Sequence, residues 1–356
     1  MRSSCIIFLL ILSLSTKAQD FAFSQFYEMP MLRNPALSGI FNGDLRVSSA
    51  YRSQWGSISV PYITSALGIE FKLPVAQQSN SFYTLGLQLA YDKAGDLSLK
   101  RTQVLPVITY HQSLSNYNDT YLSGSIMAGT VMNRFDPSAA RTDDQFVNGS
   151  YSPSNVSSQF YNNTSKNYLD LSAGLVFSSS FGNDSHYYLG LAMFHVNSPN
   201  TSFFSAATDQ QLRSKYVFNV GLSTPINEHD QVISYIDYYK QGGNNQLFGG
   251  LLYESTLINY PNDNDDENDA LKISGGAFYR LNDALIPTIK FQMHKLMVGL
   301  SYDVNVSQLR TASQLRGGLE FTISFQGFLN QRSSSRERML CPGFGRTSQI
   351  GWFSTK

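Results

Sequence analysis

From residue 83 the chain reads Tyr-Thr-Leu-Gly-Leu-Gln-Leu-Ala-Tyr-Asp, and every second position is large and apolar: Tyr83, Leu85, Leu87, Leu89 and Tyr91. The positions between them, Thr84, Gly86, Gln88, Ala90 and Asp92, are small or polar. A period of two sends alternate side chains to opposite faces of an extended strand, so this segment has one apolar and one wet face. Tyrosine at both ends of the apolar face is the placement that a bilayer interface favours. The pattern returns almost to the end of the chain. It predicts strands over about 44–54, 60–72, 81–92, 98–112, 120–133, 167–178, 186–196, 212–223, 231–240, 246–256, 271–281, 284–293, 295–304 and 314–326, fourteen in all. Leu169, Leu171, Ala173, Leu175 and Phe177 alternate cleanly with Asp170, Ser172 and Gly174, whereas 98–112 is interrupted by Pro106.

Strand length selects the architecture. Many of these runs reach ten to thirteen residues, against about five or six for an ordinary strand and roughly nine to eleven for a tilted membrane strand. Backbone groups in lipid must all be paired, which closure of the sheet achieves. The expectation is an all-β fold, a transmembrane antiparallel β-barrel of about fourteen strands over residues 43–326, with an irregular N-terminal arm (19–42) and a C-terminal tail (327–356). An even strand number agrees with bacterial single-chain barrels.

The start of the chain reads as an export signal over residues 1–18. Arg2 gives the positive start, Cys5 to Leu14 is apolar but too short to cross a bilayer, and Thr16-Lys17-Ala18 offers a small-x-small cleavage site. The alternative is an uncleaved buried helix. With the arm in the periplasm, the long polar segments 135–166 and 197–211 fall outside the cell and the tail falls inside, the usual asymmetry of such barrels. The acidic run Asn262–Asp269 then falls inside, which is less typical.

Composition narrows the functions. The 26 basic and 26 acidic residues cancel, which argues against a nucleic-acid binder. Removal of the signal leaves Cys341 as the sole cysteine, so no intrachain disulfide forms. The wet faces carry Arg46, Arg52, Lys272, Arg280, Lys290 and Arg316 with Glu70, Asp92, Asp170, Asp303 and Glu320. Near-balance of sign favours a paired network that holds the barrel's shape over a selective pore lining. The histidines at 111, 186, 195, 229 and 294 show no metal-ligand spacing. Asp263, Asp265 and Asp269 lack the glycine and closing glutamate of a calcium loop. Gly242–Gly250 has no phosphate-loop lysine and reads as a strand-joining turn, and no G-x-S-x-G elbow occurs. An outer-membrane hydrolase needs a Ser or Asp, a His and an orienting partner together on the outer rim, and His195 with nearby serines is the sole candidate. No enzyme, metal or cofactor is expected.

Several motifs resemble one family. Gln19-Asp20-x-x-Phe23-Ser24-Gln25-Phe26 is followed by Pro30 and by Asn34-Pro35-Ala36-x-Ser38-Gly39; Tyr51-Arg52-Ser53-Gln54-Trp55 ends the first strand. Gly276–Ala284, Val298–Asp303 and Cys341-Pro342-Gly343-Phe344 come later. Together they resemble the PorP/SprF outer-membrane proteins of type IX secretion and gliding in Bacteroidetes, from the signal to Phe344; residues 345–356 run past the family-like end. The resemblance implies a non-enzymatic barrel that supports export or cell-surface attachment of type IX cargo such as an adhesin, together with periplasmic secretion or motor components. A porin-like diffusion or uptake channel is the alternative. Topology places cargo contacts on loops 135–166 and 197–211, and periplasmic contacts on the arm and tail. Asn34, Pro35, Ala36, Gly39, Tyr51, Arg52, Gln54 and Trp55 are the candidate arm motif, and Cys341, Pro342 and Phe344 the candidate tail motif. The arm is either a lumen latch or a partner site, and Cys341 either an unreactive thiol or an intermolecular link.

Overall fold

The computed structural model describes residues 20–328, except 57–59, 76–79, 116–118, 148, 153, 156, 158–162, 183, 204–210, 260–269 and 309. The strands are β1 (Leu45–Gln54), β2 (Tyr62–Pro74), β3 (Phe82–Ala94), β4 (Leu99–Ser115) and β5 (Thr120–Arg134), then a short hairpin of β6 (Phe146–Val147) and β7 (Ser150–Tyr151). They continue with β8 (Ser165–Phe181), β9 (Ser185–Phe194), β10 (Lys215–Pro225), β11 (Asp230–Gln241) and β12 (Asn244–Asn259). The last are β13 (Ala270–Arg280), β14 (Ala284–Met293), β15 (Leu296–Asn305) and β16 (Arg316–Gly327). All but β6 and β7 join one closed antiparallel barrel of fourteen strands, each paired to its neighbours in sequence order. Closure is made by β1 on β16, from Leu45↔Gly327 to Gln54↔Gly318.

Barrel strands begin and end within three residues of the bounds expected from the alternation. Period-two patterning specifies register strongly, because a one-residue slip would turn every apolar side chain inward. The hairpin β6–β7 was not legible: it lies in the polar segment between β5 and β8, where Phe146 and Tyr151 pair across a two-residue ladder.

Outward positions form the apolar belt. Tyr83, Leu85 and Tyr91 on β3 and Leu319, Phe321, Ile323 and Phe325 on β16 are all exposed. From Tyr83 to Tyr91 is eight steps of ~3.3 Å, which a ~40° tilt reduces to ~20 Å, close to the ~25 Å band of such barrels. Pro106 and Pro287 both face out on interior strands. Their missing N–H groups show in the ladders: β4–β5 pairing jumps from Val104↔Thr130 to Val107↔Met127, and β14–β15 pairing from Leu285↔Val304 to Thr288↔Ser301.

The long connections, 135–164 and 195–214, lie at one end of the barrel, and the 226–229 and 294–295 turns at the other. No described helix is long and apolar enough to cross a membrane, which bears only on helical spans.

Candidate functional site: the plugged lumen

The barrel is not hollow. Residues 20–42 pass through it from the long-loop end to the short-turn end, where Gly43 and Asp44 turn into β1. Of residues 23–41, all are buried except Leu32, which is half-buried. The arm is a series of tight turns: a 3-10 turn at Phe26–Glu28, a helical turn at Pro30–Arg33 and a second 3-10 turn at Pro35–Leu37. Pro30 and Pro35 open two of these turns, where a missing N–H costs nothing. Asn34 caps the last by accepting from the Ala36 N–H at 2.9 Å.

At the long-loop end, the Asp20 carboxylate is held by Arg101 at 2.8 Å and His195 Nε2 at 2.7 Å, with Lys215 at 3.9 Å. The other ring nitrogen of His195 faces Asp170 at 2.8 Å. His195 is thus committed to two carboxylates through its ring nitrogens, and the nearby Ser214 hydroxyl donates to the His195 backbone carbonyl at 3.1 Å. One level down, the backbone N–H groups of Ser24 and Gln25 each donate to Glu320 at 2.6 Å. Arg52 and Arg280 converge on Asp303 at 2.6 Å each, and the Ser24 hydroxyl also donates to Asp303.

In the middle, Arg33 forms a two-pronged bond to Asp237 at 2.7 and 2.6 Å. Its guanidinium lies 5.0 Å from the Phe26 ring centre and 5.3 Å from that of Tyr235. Tyr27 stacks on Tyr235 at 4.9 Å. Phe26 and Met31 enter the main apolar cluster with Leu105, Val107, Met127, Phe248 and Phe278. Lower still, Glu28 pairs with Lys290, Gly39 N–H donates to Glu70 at 2.9 Å, and Glu70 also takes Arg46 at 2.7 Å. Lys72 donates to the Phe41 carbonyl.

Wall glycines make the seats. A Cβ on Gly174 would stand 2.1 Å from Asn34 Oδ1, and one on Gly190 2.8 Å from Asn34 Nδ2. Asn34 uses that space to donate to the Leu175 and Leu191 carbonyls at 3.3 and 3.2 Å. Gly86 gives way in the same manner to Met31, and Gly299 to Gln25. Gly39 itself has φ +83°, and a Cβ there would meet Thr84 Oγ1 at 2.1 Å.

The sequence-predicted residues divide. Asn34, Pro35, Ala36 and Gly39 are all buried in the lumen. Within the first-strand motif, Arg52 points in to Asp303, Tyr51 faces the lipid, Gln54 ends the strand, and Trp55 sits at the rim against the Tyr62 ring at 4.8 Å. The eight therefore do not form one surface. Of the lumen charges, Arg46, Arg52, Glu70, Asp170, Lys272, Arg280, Lys290, Asp303 and Glu320 all face inward with polar partners, and Asp92 accepts from Thr64 at 2.6 Å. Arg316 differs. It is exposed at the long-loop rim, where the β15–β16 register shifts after Asp303 and pairs Val304 with Arg316. The irregularity moves it out of the alternation that placed it inside. Asp20 appeared only within the opening motif, and Glu28, Arg33, Asp237 and Glu254 were not singled out from sequence; Arg33 and Asp237 are 204 positions apart, and no local spacing reports such a pair. Cys341, Pro342, Phe344, the signal segment and the acidic run lie outside the described residues. Among the described residues no cluster of three or more His, Cys, Asp or Glu side chains could hold a metal ion.

The fold is shared with a solved outer-membrane barrel, and further barrels resemble it more loosely. The toluene transporter TbuX of Ralstonia pickettii is 9% identical with a TM-score of 0.50, over 86% of this chain and 95% of that one. A FadL homologue of Pseudomonas aeruginosa is also 9% identical, with a TM-score of 0.44 over 83% and 93%. The translocator domain of the autotransporter NalP from Neisseria meningitidis is 10% identical, with a TM-score of 0.39 over 80% and 89%. At such identity the likeness speaks for the barrel alone. No curated protein matches the chain in sequence. A family model does match, over residues 15–325. The chain is an outer-membrane β-barrel, and it belongs to the PorP/SprF family of type IX secretion system membrane proteins.

Proposed function

We propose that this barrel is a closed platform in the outer membrane that holds or helps export one type IX-secreted surface protein, such as an adhesin, rather than a route for solutes. The observation that carries the reading is the arm, which occupies the lumen from one mouth to the other and is bonded to the wall at each level. A conduit needs an unobstructed path, whereas an anchor needs a rigid body with surfaces on both sides of the membrane.

On this reading the long-loop end faces outward and the segments 135–164 and 195–214 meet the cargo. Phe135 and Phe203 pack edge-to-face at 5.0 Å and tie the two segments together. Periplasmic secretion or motor components meet the opposite rim and the tail beyond residue 328. The arm, expected to serve either as latch or as partner site, acts here as the latch. Cleavage after Ala18 would place the new N-terminus next to Asp20, at the outer mouth.

Two measurements test the proposal together. A deletion strain should lose one surface protein while small-molecule permeability stays unchanged, and the purified protein should be silent in planar bilayers. Retention of every surface adhesin in the deletion strain, or steady single-channel conductance from the intact protein, would defeat it. The channel alternative makes the opposite prediction for the bilayer experiment.

A further inference from the structure

One part of the lumen is left unfilled. Between the arm and a wall made by β1, β9 and β11–β16, at the short-turn end, lies a cavity of about 140 Å³. Its wall brings two lysines together. Lys272 on β13 and Lys290 on β14 both point inward. The β13–β14 register sets Lys272 opposite Gln292 and Ser274 opposite Lys290, so the two lysines are diagonal neighbours. Their Cα atoms are then about 7–8 Å apart, within reach of a shared ligand for long side chains.

The hydrogen bonding of the two lysines is incomplete. An ammonium carries three donors. Among the described residues, Lys272 has Glu254 at 3.5 Å, an ion-pair distance beyond the usual hydrogen-bond range, and Lys290 has Glu28 and the face of the Tyr27 ring at 5.2 Å. The carboxylates, in contrast, are well supplied. Glu254 also accepts from Gln231 at 2.6 Å and Ser274 at 3.0 Å, and Glu28 from Ser324 at 3.4 Å. Charge is balanced here, since Arg33 and Arg46, which also line the cavity, are neutralised by Asp237 and Glu70. What the cavity has in surplus is donors. Ser48 on β1, 2% exposed, also lines the cavity, and among the described residues its side-chain hydroxyl has no hydrogen-bond partner. The Lys272 and Lys290 side chains are partly open to the cavity, so their spare donors match it to a ligand rich in acceptors.

We propose that this vestibule is an oxyanion seat, in which Lys272 and Lys290, with Ser48 of β1 lining the same cavity, take one carboxylate or phosphate group entering from the short-turn mouth. The volume admits a single small group, either a free ion or one acidic side chain presented by a polypeptide. Lys272, less tightly paired than Lys290, is the principal donor. The site is independent of whether the barrel anchors cargo, because it rests on the lumen wall alone.

Glyoxylate, a carboxylate-bearing aldehyde, probes the site directly. In the presence of cyanoborohydride it converts a lysine beside its binding position to carboxymethyl-lysine, which peptide mapping locates. In the full-length protein in detergent, Lys272 should be modified about tenfold faster than the exposed Lys100 and Lys240, because binding raises the local reagent concentration. Inorganic phosphate and a hexaglutamate peptide are the two competitors. Protection by phosphate alone identifies a free oxyanion, protection by the peptide alone a polypeptide side chain, and protection by either supports the seat. Ser48→Ala and Lys290→Met should both lower the Lys272 preference. Heat-modifiable gel migration checks that each variant is folded, and Ser48→Ala keeps the test decisive if Lys290→Met does not fold. Equal modification of Lys272 and Lys100, with no protection by either competitor, would mean that the cavity holds only water and would overturn the proposal.

Discussion

On β8, Gly174 and Leu175 are neighbours in sequence and face opposite worlds. Leu175 is 57% exposed on the lipid belt, beside Leu191 at 61%. Gly174 faces the lumen and leaves no space for even a methyl group, because Asn34 of the arm occupies it. Outside, any apolar side chain of suitable size serves, since lipid chains adapt to what they meet. Inside, the wall has been shaped around one particular segment of the same polypeptide. A single strand thus carries a tolerant code on one face and an exacting one on the other, and substitutions on the two faces should differ accordingly.

The largest effect is expected from breaking the central ion pair. Asp237→Ala leaves the Arg33 guanidinium buried without its carboxylate and should cost about 3–5 kcal/mol. It is measured by urea unfolding in lipid vesicles, and a loss below 1 kcal/mol, on the order of an exposed pair, would show that the arm is loosely held. Next comes the outer face treated as an inner one: Leu191→Arg places a charge near mid-membrane and should cost roughly 2–4 kcal/mol in the same assay. Gly174→Leu overfills the Asn34 seat, with an expected loss of about 1–3 kcal/mol. In planar bilayers it should also produce brief openings that the parent protein lacks. Asn34→Ala removes two hydrogen bonds to strand carbonyls and should cost about 1–2 kcal/mol. Smallest is the conservative change on the tolerant face, Leu191→Ile, which should stay below about 1.5 kcal/mol. If Leu191→Ile cost as much as Gly174→Leu, the contrast between the faces would fail.

Much of the barrel was legible because its rule is local. Period-two alternation needs only a dozen consecutive residues, and each strand declares itself without reference to the others. Pro106 weakens that signal on β4, yet an outward proline with one interrupted ladder is tolerated, so the strand exists regardless. The plug was legible only in fragments. Pro30, Asn34, Pro35 and Gly39 stand out as turn-forming residues, but their partners are scattered over strands far along the chain. A usable signal lay in the wet faces themselves. Gly68, Gly86, Gly174, Gly190 and Gly299 all fall at inward positions, too many missing side chains for a wall that must fill its own interior. Arg316 shows the limit of strict alternation: one irregularity near a strand end is invisible to it and reverses the assignment.

The closing pair of the barrel, β1 on β16, joins the first strand to the last, and Gly43 sits so close to Gly327 that a Cβ would stand 2.7 Å from its carbonyl oxygen. The ring therefore cannot shut until the final strand has been delivered, and pairings of such separation form slowly. Until then the arm, tethered to β1, can lie along an open sheet. Once the ring is shut, drawing Phe26, Tyr27 and Arg33 through it would mean forcing bulky groups past a packed wall. The finished barrel is therefore wrapped around its own N-terminal segment as around a mandrel, with the seam β1–β16 as the join.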